Sequence, residues 1–138
     1  MDEIRTTPNN SDLDNLWTYL YRGIARANAV IKNVPNVQGI TEAGKNQIVG
    51  EGYFLRALHN FNLVRLFGEV PLRTEVIADA EQVPLAKSSL SDIYALIEAD
   101  LKSAEGLMSA AKNKEGRANK VAAQALLAKV YLHLASSK

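Results

Sequence analysis

The chain reads as an all-α domain spanning residues 1–138, with about four main helices arranged as two stacked antiparallel hairpins. Three observations predict this. Apolar residues recur at three- and four-residue spacing in four separate segments. Each segment is flanked by residues that start or stop helices. No stretch alternates apolar and polar residues for long enough to make a strand.

Met1 to Asn10 is polar, carries Pro8 and paired asparagines, and reads as a loose arm. Ser11-x-x-Asp14 has the form of a capping box. Leu13, Leu16, Trp17, Leu20, Tyr21, Ile24, Ala27, Asn28 and Ile31 then outline an amphipathic helix to about Asn33. Pro35, Asn36 and Gly39 break it. Thr41 with Glu42 starts a second helix that runs to about Phe67. This helix is apolar around most of its circumference: Leu55, Leu58, Asn62 and Leu66 form one stripe, and Phe54, Ala57, Phe61 and Val64 another. Such a helix must be covered on more than one face, so it is expected at the centre of the stack. Gly68 can adopt the left-handed conformation that ends a helix, and Pro71 cannot rejoin one.

Gly68 to Ser88 is a long connection with short extended pieces at Val70–Leu72 and Val76–Ile77. A connection of this length is expected to be functional or pinned to a neighbour. Ser89-x-x-Asp92 starts a third helix, whose stripe is Ile93, Ile97, Leu101, Ala104 and Leu107 or Met108, ending near Ala111. A solvated turn, Lys112 to Gly116, leads to a fourth helix beginning near Asn119. That helix carries Ala122, Ala123, Leu126, Leu127, Val130, Tyr131 and Leu134. Alanines at 122, 123, 125 and 128 allow close approach of paired helices, as in stacked helical repeats.

Composition excludes several function classes. The 47% hydrophobic and 22% charged content is that of a globular domain. With 16 basic and 15 acidic residues the formal charge is +1, so no excess points to nucleic acid. The absence of cysteine removes disulfides, thiolate metal sites and cysteine nucleophiles. Val121 to Ala135, the most apolar late segment, is too short to span a bilayer.

The search for chemistry finds no catalytic, metal or cofactor residues. His59 and His133 fall on different helices without metal-ligand spacing, and His59 is expected to be a satisfied, buried or half-buried side chain. Gly50-x-Gly52 lacks the third glycine and preceding strand of a phosphate loop, and is expected to serve helix packing. Asn10-Ser11-Asp12-Leu13-Asp14 lacks the glycine and glutamate of a calcium loop. Most aromatics lie on apolar stripes, with Tyr19 off them and expected to be exposed. Glu51, Arg56, Asp100 and Arg117 are single charges among apolar neighbours and are expected to be paired. Asp100 reads as an anchor of the second hairpin, held by a basic side chain or by backbone amides, with Arg117 and Lys120 the basic residues that the hairpin could return alongside it. Glu98 and Lys102 read as an exposed helix pair.

Four ordered segments carry a family resemblance. They are Gly50-Glu51-Gly52-Tyr53-Phe54-Leu55-Arg56-Ala57-Leu58-His59 continued by Leu66-Phe67-Gly68-Glu69-Val70-Pro71-Leu72, with Trp17-x-x-Leu20-Tyr21-x-x-Ile24-x-x-Ala27-Asn28-x-x-Ile31 before it. Ser91-Asp92-Ile93-Tyr94-x-x-Ile97-Glu98-x-Asp100-Leu101 and Gly116-Arg117-Ala118-Asn119-Lys120 with the alanine-rich helix follow. Together they resemble SusD/RagB-type proteins from about residue 12 to residue 134.

The resemblance implies a tetratricopeptide-like helical scaffold. It implies a parent outer-membrane lipoprotein, exposed at the outer leaflet, that binds glycan or another nutrient and passes it to a SusC-like, TonB-dependent transporter. The chain lacks the family's lipid-bearing cysteine and long C-terminal half, so it is expected to be a piece excised from a larger SusD-like protein. Glycan-contacting residues of the family lie mainly outside this scaffold, and no ligand-binding residue, cofactor or enzymatic role is assigned here. The alternative is a stand-alone tetratricopeptide-like adaptor for a peptide or protein partner.

Overall fold

The structure, a computed structural model, describes residues 11–76, 85–113 and 115–137. It holds α1 (Ser11–Asn33), a 3-10 turn (Val34–Asn36), α2 (Glu42–Phe67), α3 (Leu90–Leu107) and α4 (Lys120–Ser136). The arm Met1–Asn10, and Ile77 and Pro84 in the long connection, lie outside the described residues.

Three helix starts follow from side-chain caps. Thr41 Oγ1 accepts from the Gly44 amide at 3.1 Å, Ser89 Oγ from Asp92 at 3.1 Å, and Asn119 Oδ1 from Ala122 at 3.0 Å. Each satisfies one of the amides a helix leaves without an internal partner. α2 stops at Gly68, whose φ of 72° only glycine adopts readily, while its amide still donates to Val64 O at 3.0 Å.

α3 ends at Leu107, short of the expected Ala111. Met108 turns extended (φ −87°, ψ 147°) and buries its side chain. The next carbonyls then serve the neighbouring helix start: Ser109 O accepts from the Lys120 amide at 3.0 Å, and Ala111 O from Asn119 Nδ2 at 3.3 Å. Helical continuation would forfeit both contacts.

Each helix packs antiparallel on the next. Trp17 near the start of α1 meets Phe67 at the end of α2, ring centroids 5.0 Å apart. Gly50 early in α2 lies under Met108 just past α3, and Tyr131 late in α4 reaches Glu98 on α3. α2 packs against both α1 and α3, the central place its sequence calls for. Its two apolar stripes are covered unequally. Ala57, Phe61 and Val64 are buried, whereas Leu55 and Leu66 remain 44% and 56% exposed.

The core runs through all layers: Leu20 and Ile24, then Ala57, Phe61, Leu63 and Val64, then Ile93, Ile97 and Leu101, and finally Val130. Burying each large side chain of this kind contributes roughly 1.5–3 kcal/mol. A smaller cluster, Ala104, Met108 and Ala123, closes the end where α2 begins. The connection after α2 is pinned to α1, as its length suggested. Val70 is fully buried and its carbonyl accepts from the Ser88 amide at 3.0 Å. The Tyr21 hydroxyl donates to Pro71 O at 2.6 Å, and burial pushes its pKa up to about 12 against the charge of Arg73.

Candidate functional site

The most enclosed polar chemistry is a side-chain junction at the middle of the stack. Arg56 on α2 is 6% exposed and Asp100 on α3 is 2% exposed. Arg56 Nε donates to Asp100 Oδ2 and Nη2 to Oδ1, both at 2.7 Å, a bidentate pair. Arg56 Nη1 donates to Asn28 Oδ1 on α1 at 2.9 Å. Asn28 Nδ2 in turn donates to Arg73 O at 3.0 Å, in the connection after α2. One guanidinium thereby ties α1, α2, α3 and that connection together. Burial pushes the Asp100 carboxyl up from its ordinary value, opposed by the hydrogen bonds and charge of Arg56.

The expectation that a basic side chain anchors Asp100 therefore stands, and that side chain is Arg56 on α2. Neither Arg117 nor Lys120 reaches it. Asp100 faces α2 almost two turns before the end of α3, while the returning turn delivers Arg117 to the beginning of α2. There Arg117 Nη2 donates to Glu51 Oε2 at 2.7 Å and Nε to the same oxygen at 3.1 Å. All four motif charges are paired, two by two. Glu98 and Lys102 form the expected exposed pair at 2.6 Å, and the Tyr131 hydroxyl donates to the same Glu98 oxygen at 2.8 Å. These contacts hold the Glu98 carboxyl below its ordinary value, Lys102 first.

The histidines serve different layers. His133 lies edge-on to Phe61 at 5.5 Å and nearly parallel to Tyr94 at 6.3 Å. His59 is half-buried over Gly23, where an added Cβ would sit 2.4 Å from its Nε2. Its Nδ1 is buried with no hydrogen-bond partner among the described residues, against the expectation of a satisfied side chain. The ring projects from inside a helix whose neighbouring carbonyls are already committed to the ladder. Burial lowers its pKa. Among the described residues no cluster of three or more acidic or imidazole side chains could hold a metal ion.

Around His59 lies an open groove of about 470 Å³ between α1 and α2. Gly23, Ala27 and Gly52 line it with little bulk; Tyr19, Arg22 and Arg26 come from α1, and Ile48 and Leu55 from α2. Tyr19 is 64% exposed, as expected, and stands edge-on to His59 at 6.1 Å. Sequence reasoning singled out Tyr19 and His59 separately and missed the groove. The available signal was Gly23 and Gly52, glycines inside helices where two backbones approach. Trp17, Tyr21 and Phe67 pack together as core, with Trp17 and Tyr21 centroids 4.9 Å apart.

Comparison with known proteins places this architecture. A family profile described as starch-binding and associating with the outer membrane, SusD-like, matches residues 2–132. The chain belongs to the SusD-like family. Among its relatives, SusD-like protein P25 of Formosa agariphila is 31% identical over 122 residues, 87% of this chain and 23% of P25. A laminarin-binding SusD-like protein of known structure is 36% identical and superposes with a TM-score of 0.80, over 87% of this chain and 26% of that one. A second structure, solved with a xylogluco-oligosaccharide, is 30% identical with a TM-score of 0.85, over 92% of this chain and 25% of its own. The SusD-like chain thus spans about a quarter of the length of these relatives. No helix among the described residues is long and apolar enough to cross a membrane.

Proposed function

We propose that this chain is the helical scaffold portion of a SusD-like outer-membrane lipoprotein that binds glycan at the cell surface. The parent delivers that glycan to a SusC-like, TonB-dependent transporter, and its work is binding rather than catalysis. The observation that carries the reading is the family match across residues 2–132. Supporting it, the residues that make the match occupy core, cap and ion-pair positions. Gly50 lets α3 approach, Arg56 and Asp100 lock the layers, and Gly68 ends α2. Residues so occupied hold a shape and leave ligand contact to other parts of the parent. The single domain, residues 1–138, is on this reading a piece of that larger protein.

The test is affinity isolation of the tagged full-length protein from outer membranes under mild detergent. Co-purification of a TonB-dependent transporter in near-equal amount is the expected result. Recovery of the full-length protein alone, from cells grown on the glycan it binds, would remove the transporter from the account.

A further inference from the structure

The groove between α1 and α2 has features the scaffold does not use. Arg22 and Arg26 stand one helical turn apart on α1 at its rim, both exposed, and neither makes an ion pair with a described residue. The acid that lines it, Glu51, is already engaged: one carboxylate oxygen accepts from Gln47 at 2.8 Å and the other from Arg117. Among the described residues, the groove therefore presents two cations without an acidic partner. Beside them its wall is aliphatic, with Leu55 44% exposed and Ile48 and Val30 next to it. The floor beneath is closed by the protein itself, His59 lying over Gly23 and Val30 with Ile31 over Gly52, so an incoming side chain lies along the groove against Leu55 and Ile48.

We propose that this groove docks a segment of polypeptide that presents a bulky aliphatic side chain flanked by carboxylates. The aliphatic side chain seats against Leu55, Ile48 and Val30, removing apolar surface from water. The carboxylates meet Arg22 and Arg26, whose planar guanidinium groups bind them bidentately. This charge complementarity selects the occupant. Along Val30, Ile48 and Leu55 the wall gives no hydrogen bonds, which favours an aliphatic side chain over sugar hydroxyls at that place. The proposal goes beyond the glycan-related role of the parent and does not depend on it.

The experiment is selection of the 138-residue chain against a displayed random heptapeptide library, followed by titration of the enriched peptides. The expected enrichment is Leu, Ile or Phe next to Asp or Glu. The Arg22→Ser/Arg26→Ser double variant should bind those peptides at least about tenfold more weakly, equivalent to about 1.4 kcal/mol. Both arginines are exposed, so the variant should keep the native circular dichroism spectrum. Leu55→Asp should weaken binding by itself, separating the apolar contact from the charge. No enrichment would overturn the proposal, as would enriched peptides that bind the double variant equally well. Arginine-dependent binding of polygalacturonate oligomers in place of peptides would also overturn it, making the groove a site for acidic sugar.

Discussion

Arg56 and Asp100 show how much depends on one pair of side chains. Each is almost fully removed from water, and each satisfies the other. Asp100→Ala leaves a buried guanidinium facing only the neutral Asn28 amide and the Tyr53 ring among the described residues. Chemical denaturation should show a loss of about 3–5 kcal/mol, whereas Glu105→Ala, which removes only a surface hydrogen bond to Gln124, should lose less than about 1 kcal/mol. Equal small losses would mean that Asp100 is merely a solvated charge. The need for a partner was legible in the sequence, because a lone acid beside an apolar stripe is costly unless paired. The identity of the partner was not. Arg56 is 44 residues away, and only the register of α2 against α3 brings it there. His59 adds a pH dependence. Burial lowers its pKa below the ordinary 6.5, so the unfolded chain takes up the proton first. Stability held above that value should therefore fall as pH drops below about 6.5. Denaturation midpoints compared at about pH 7.5 and pH 5.5 should show His59→Gln losing less on acidification than the parent chain. An identical loss would exclude His59 as the source.

At the scale of the elements, boundaries written in local chemistry were readable. Thr41, Ser89 and Asn119 cap the helices they precede, and Gly68 ends α2 with positive φ. The end of α3 was not readable, because its stop depends on carbonyls taken by residues of α4. Helix approach is likewise a two-element property, visible only as glycines within helical patterns. Gly50 and Gly106 separate the two uses of that residue. A Cβ on Gly50 would lie 2.4 Å from Met108 Cγ and 3.3 Å from Leu107 Cβ, while one on Gly106 meets nothing within 4 Å. Gly50→Ala should therefore destabilise by about 1–3 kcal/mol through overpacking between α2 and α3. Gly106→Ala should stabilise by about 0.4–1 kcal/mol, since α3 then loses less backbone freedom on folding. Matched thermal and denaturant unfolding of the two variants checks the pair. A neutral Gly50→Ala would show that α3 shifts at little cost.

For the whole molecule, the layered hairpins followed from periodicity, and the family followed from four motifs in order. Which surfaces stay open did not follow, because exposure is decided by neighbours. Val121, Leu126, Leu127, Val130 and Leu134 make α4 apolar on several sides. In the structure Val130 is buried, Leu126, Leu127 and Leu134 are half-buried, and the open stripe is Val121, Ala125, Ala128 and Leu132. Val121 is 54% and Leu132 72% exposed, so this face should bind an apolar-surface dye and favour self-association at high concentration. Sedimentation and dye fluorescence should both fall in Leu132→Glu; a monomeric chain without dye binding would contradict the expectation. On the proposed reading, glycan contact falls to residues outside this scaffold, so nothing in this sequence would mark it. That central claim is tested most directly by calorimetric titration of laminarin and xyloglucan oligosaccharides into the 138-residue chain and, in parallel, into its full-length parent. Saturable binding by the parent, with none by the chain, is the result the scaffold account predicts. Saturable sub-millimolar binding by the chain would contradict it and place a sugar site within these four helices.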